Sequence, residues 1–231
     1  MRRAYREVTT KTAETGHRIL LDGKALRTPA KLTLDLPTRA LAEAIADEWR
    51  QQDQNVKPHT MPLMRLAATA VDRLQSKRDA AVAEVAGYAG TDLLCYRAPE
   101  PPELARRQHE AWQPILDWLE HRYDASLAVT VGIRWVPQSP VALQRLRAAV
   151  AALDDLALIG VHAMTTGMGS LVLALAVLEC EISAEAAFAA SQLDEDFQVA
   201  RWGEDAEAAR RREGLRRDVL AAARFISLSK A

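Results

Sequence analysis

The densest run of acids in this chain is Asp194-Glu195-Asp196, and a second pair stands at Asp154-Asp155. Two carboxylates facing each other across a cleft, with their pKa values pushed apart, hydrolyse glycosidic and related bonds. The same acids on one side of a helix form a solvated face or a surface for a partner protein. Metal chemistry needs clustered ligands, yet His17, His59, His109, His121 and His162 show no H-x-x-x-H spacing and the two cysteines form no C-x-x-C. Thr165 to Ser170 is glycine-rich at a helix start, as phosphate loops are, but it lacks Gly-Lys-Ser/Thr, and Val172 takes the third glycine position of the dinucleotide pattern. Ser170 is not in a G-x-S-x-G elbow, since Met168 and Val172 flank it at two residues. No metal, cofactor or nucleophile is therefore expected. A carboxylate-dependent hydrolase using Asp194 or Glu195 stays as the alternative to a binding protein.

The acids must be positioned by the helices around them. From Leu171 to Leu178 every residue is apolar, so a helix there is apolar all round and must be enclosed by others. The next helix is expected to start at Ser183 as N-cap and run on through Trp202, with Ala186, Ala190, Leu193 and Phe197 inward. Ser191, Glu195, Gln198 and Trp202 then share another side, polar but ending in tryptophan. On this reading the three acids sit in mid-helix, beyond the reach of the dipole, and Glu195 has Val199 instead of a base at i+4.

The whole chain bounds what these residues can serve. Its 231 residues are 49% hydrophobic and 26% charged, the balance of a compact globular protein. A net charge of -1 gives no general field to attract nucleic acid or an anionic membrane. Cys95 and Cys180 lie in apolar surroundings, which reads as buried reduced thiols of a cytoplasmic protein, and no secretory signal or arginine-rich presequence is evident. Leu156 to Leu178 passes without a formal charge, but its glycines, threonines and His162 break it as a membrane span.

Period-2 alternation marks strands at residues 5–10, 17–21 and 32–36, joined by Glu14-Thr15-Gly16 and Asp22-Gly23 turns. From Pro37 the period becomes helical: 38–52, a helix from Pro62, another at 77–90, one along Leu104 to Leu119 containing Pro114, and one after Ser139-Pro140. Ala128 to Val136 is β-like. A last helix carries acids first and arginines later, with Leu215, Val219, Ala223 and Ile226 inward. The fold class is α+β, with a small antiparallel β domain and one covering helix at 1–57 and a helical domain at 58–231.

Several blocks resemble one family. L-D-G-K-A-L-R-T-P at 21–29, L-P-T-R-A-L-A-E-A-I-A-D-E-W at 36–49, M-P-L at 61–63, T-D-L-L-C-Y-R-A at 91–98, QHEAWQPILDW at 108–118, Gly169 to Ala176, and L-D-E-D-F-Q-V-A-R-W-G-E-D at 193–205 are similar to the assembly chaperones of the F-type ATP synthase alpha subunit. The resemblance implies a chaperone without enzymatic activity or cofactor, which binds the unassembled alpha subunit and prevents its aggregation until the beta subunit joins. It also implies a partner-binding role for Glu195, the match to a glutamate implicated in the family's chaperone function. Asp194, Gln198, Trp202 and Asp205 extend that site by their place in the motif, while Glu48, Trp49 and Tyr96 are read as structural. A bacterial, cytoplasmic member, monomeric when free, is expected.

Overall fold

The computed structural model describes residues 2–230, apart from the side chain of Gln75. The architecture is α+β, with a three-stranded antiparallel sheet first and a mostly helical chain after it. Two compact units form: residues up to Arg78 with Asp154–Gly160 and the stretch from Arg224 make the first, and Asp79–Leu153 with Val161–Ala223 the second. The division expected at 57 and 58 assigns residues 58–78, 154–160 and 224–230 to the helical part, whereas compactness groups them with the sheet.

In the first unit, β1 (Val8–Ala13) pairs antiparallel with β2 (Gly16–Leu21), and β2 with β3 (Lys24–Ala25). The second hairpin turns on Asp22 and Gly23 with φ of 48° and 76°, the paired positive values that a two-residue turn needs to match strand twist. Gly16 is required for space, since a Cβ there would stand 2.4 Å from the Leu36 carbonyl oxygen. Residues 32–36 do not form the third strand read from alternation. With β3 on β2 at Leu20 and Leu21, the stretch keeps only isolated bridges, His17 with Leu36 and Arg27 with Thr33.

Helix α1 (Arg39–Arg50) starts at Thr38, whose hydroxyl accepts from the Leu41 amide, and buries Leu41, Ile45 and Trp49 against Ile19, Leu34 and Leu36. Its Glu48 caps the next helix, α2 (Pro62–Gly87), by accepting from the Leu63 and Met64 amides at 2.8 Å each. Burial pushes the Glu48 carboxyl above its ordinary pKa, and the two amide bonds oppose that.

In the second unit short 3₁₀ turns lead to β4 (Tyr96–Arg97) and α3 (Pro102–Tyr123), which continues unbroken past Pro114. The β-like stretch 128–136 shrinks to β5 (Thr130–Val131), parallel to β4, because Gly132 at φ 80° turns the chain away. Then come α4 (Pro140–Ala151), α5 (Asp155–Met168), α6 (Leu171–Leu178), α7 (Ala184–Ser191), α8 (Leu193–Trp202) and α9 (Ala206–Lys230). No helix among the described residues is long and apolar enough to cross a membrane, and Gly169 at φ 68° separates α5 from α6.

Helix α6 is the centre of this unit, with Leu171 to Ala176 no more than 1% exposed. Its N-terminus is held from the 3₁₀ turns by the fully buried Asp92, which accepts from the Ser170 hydroxyl at 2.7 Å and the Val172 and Leu94 amides at 3.1 Å. Burial lifts the Asp92 carboxyl to about 6, against the pull of those bonds. Two expectations change here. Cys95 is buried and its thiol pushed up to about 12, but Cys180 is exposed, at φ 60° in the turn that ends α6. On α9 the buried residues are Val219, Ala222, Phe225 and Ile226, while Leu215 faces solvent because it lies outside their 3–4 residue stripe.

Candidate partner-binding face on helix α8

The expected single helix from Ser183 to Trp202 is broken. Ser183 caps α7 as anticipated, but at Gln192 (φ -100°, ψ 9°) the chain restarts as α8. Two corrections follow. Asp194, Glu195 and Asp196 occupy the first turn of α8, where the positive end of the dipole favours them. Ser191 belongs to α7, where its hydroxyl donates to the Phe188 carbonyl at 2.7 Å, and the buried residues of α7 are Ala187 and Phe188 instead of Ala186.

The three acids have different surroundings. Asp194 accepts from the Gln108 side-chain amide of α3 at 2.6 Å, and Gln108 is wholly buried. Asp196 pairs with Arg212 of α9, which also meets Glu204 at 2.9 Å. Glu195 is exposed and has neither hydrogen bond nor ion pair among the described residues. Gln198 is likewise exposed and unbonded, and Trp202 is 75% exposed. Spaced by three and four residues on one helix, Glu195, Gln198 and Trp202 share a side. Asp205 lies apart from them as the cap of α9, accepting from the Glu207 and Ala208 amides at 2.8 and 3.0 Å, bonds that hold its carboxyl below the ordinary range.

Beneath this side Phe197 is buried, with the Arg201 and Arg107 guanidinium groups 4.2 and 5.5 Å from its ring centre. The Trp112 indole of α3 donates to the Ala190 carbonyl of α7 at 2.9 Å. Gln108 reaches in two directions, for its carbonyl oxygen also accepts from the Ala98 amide at 2.7 Å while Arg97 donates to its backbone carbonyl at 2.6 Å. The exposed triplet thus stands on a helix tied to α3. Sequence reading missed Gln108 and Asp92 as organising residues. The available signal was position: Gln108 stands four residues from Leu104 and four from Trp112 on the apolar stripe, and Asp92 directly precedes Leu93-Leu94-Cys95.

Asp194 and Glu195 do not form an acid pair across a cleft: adjacent residues of a helix point about 100° apart, and one of the two is bound to Gln108. Among the described residues no group of three or more His, Cys, Asp or Glu is placed so that it could hold a metal ion.

Helix α8 thus presents an acid without a partner among the described residues and a 75% exposed indole on one side, above a buried Phe197. Comparison with known proteins shows the family. The model of a family described as ATP12 chaperone protein matches residues 2–120. Protein atp12, mitochondrial, of Schizosaccharomyces pombe is 26% identical over 214 residues, covering 87% of this chain and 74% of its own. The crystal structure of Atp12 from Paracoccus denitrificans superposes with a TM-score of 0.93 at 43% identity, over 99% of this chain and 98% of that one. A chaperone-like protein of Agrobacterium tumefaciens gives 0.92 at 39% identity, over 100% and 86%. The chain is an assembly chaperone by class, and it belongs to the ATP12 family, which serves the assembly of F1-ATPase.

Proposed function

We propose that this chaperone holds the unassembled alpha subunit of the F-type ATP synthase, docking it on the face of α8 that carries Glu195, Gln198 and Trp202. The observation that supports this is the Glu195 carboxylate, exposed and without a partner among the described residues, about two turns along the same face from a 75% exposed indole. An alpha subunit awaiting its neighbour exposes a partly apolar interface prone to self-association. A protein that covers it and then yields it needs a few aromatic anchors within a polar rim. Asp194 and Asp205 serve the site indirectly, by fixing α8 to α3 and by starting α9. In this reading the protein acts as a monomer in the bacterial cytoplasm, with no cofactor and no chemistry of its own.

The test is co-expression with the lone alpha subunit. The wild type is expected to keep that subunit soluble, and Glu195→Lys to lower its recovery about tenfold, equivalent to ~1.4 kcal/mol of binding, with melting unchanged within about 0.5 kcal/mol. Equal recovery with and without the chaperone would refute the client assignment, and a large melting loss in Glu195→Lys would mark that acid as structural.

A further inference from the structure

The stretch between Leu127 and Gln138 has the alternation of a half-buried strand, yet its apolar members are the ones in water. Val129 is 42% exposed, Val131 63%, Ile133 100% and Trp135 64%. Solvated loops do not ordinarily carry four such side chains within seven residues, and clustered exposed apolar groups mark interaction sites. The segment is also built rather than slack. Ala125 and Leu127 are buried at its start, and buried Gln138 closes its base by accepting from the Ala128 amide at 2.7 Å and donating to the Ala128 carbonyl at 3.0 Å.

Three observations say what kind of occupant it takes. Strand β5 pairs only with β4 among the described residues, so its outer edge offers backbone groups that another polypeptide chain, and no lipid, can continue. Arg134 is exposed without an ion pair among the described residues, and from Ala125 to Pro137 there is no acid to balance it. The platform is continuous with the proposed docking face, because Gln108 bonds the chain at β4 on one side and Asp194 of α8 on the other.

We infer that residues 129–135 are a second contact for the same client, taking an extended apolar segment of the unassembled subunit along the edge of β5 with a client carboxylate against Arg134. The inference rests on the client reading above. The loop supplies apolar grip and a positive charge, complementary to the acidic, tryptophan-tipped face of α8. Together the two surfaces allow a client to be held at separated points, so that each contact can be weak and capture still effective.

The experiment compares the wild type, the double variant Ile133→Ser with Trp135→Ser, and Arg134→Glu, each with the separately expressed alpha subunit. Capture is expected to fall at least tenfold in the double variant and about threefold in Arg134→Glu, with melting temperature unchanged. Hydrogen exchange of the 129–135 amides should slow in the complex. Unaltered capture by the double variant, or no slowing of those amides, overturns the inference while leaving the α8 reading intact. So does a double variant whose loss is instead of binding to phosphatidylglycerol vesicles, or of self-association measured by sedimentation. If the wild type holds no separated F1 subunit at all, both readings fall, and that is seen before any variant is made.

Discussion

The start of α6 and the start of α8 carry the same kind of residue and put it to opposite uses. At α6 the carboxylate comes from outside the helix: Asp92 is fully buried and bonded to Ser170, Val172 and Leu94. At α8 the acids are the helix's own, and of the three only Glu195 is left unbonded in solvent. A buried carboxylate is tolerated only when its oxygens are met by donors, whereas an exposed one costs little to leave alone. Partnering therefore separates an acid that builds the fold from one available to another protein, which acidic spacing along the sequence does not reveal.

The sharpest way to break this contrast is to remove the buried member. Asp92→Ala should cost about 3 kcal/mol, since two donors at the α6 N-terminus and the Leu94 amide of the 3₁₀ turn lose their acceptor, read as a lower denaturant midpoint. The pH dependence has a definite sign. The folded carboxyl lies at about 6, above its ordinary 3.8, so the folded state binds the proton more tightly than the unfolded one. Its stabilising contribution is full below about 4 and is lost as pH rises through 6, so the stability of the wild type relative to Asp92→Asn should decline across that window in thermal melts. A flat difference would place the Asp92 carboxyl near its ordinary value.

On the exposed side the effect should move from stability to binding. Trp202→Ala is expected to weaken alpha-subunit capture by about 2 kcal/mol, as a truncated aromatic anchor does, while melting stays unchanged. A smaller effect is expected between these extremes, because Asp205 is exposed like Glu195 yet caps α9. Asp205→Ala should cost about 1 kcal/mol of stability, measured by chemical denaturation, with capture by the remaining folded protein preserved. Were Asp205→Ala to abolish capture at unchanged stability, the division between structural and available acids would have to be redrawn at α9.

Much of this was legible from residue pattern. The apolar run 171–178 is a buried helix, a helix follows Pro37 where the period changes, Ser183 caps as its place says, and Glu48 is structural. What escaped was set by tertiary contacts. No glycine or proline marks the restart at Gln192, so the acids read as mid-helix when they open α8. The alternation at 128–136 reads as a strand with an inner face, but no element covers that face and only two residues pair. Cys180 looked buried because its neighbours are apolar, though it falls in the turn after the helix. Of the five candidate site residues, three stand free on one face and two have local partners; nothing in their types distinguishes Asp194 from Glu195.

Gln108 carries a consequence for how this surface can vary. Its amide is locked in one orientation, oxygen toward the Ala98 amide and nitrogen toward Asp194. A glutamate at 108 would set two negative oxygens face to face, tolerable only if position 194 became a donor such as asparagine. Sites 86 residues apart in the chain are therefore expected to drift in tandem across related sequences, a pairing that neighbouring Glu195 is under no obligation to join.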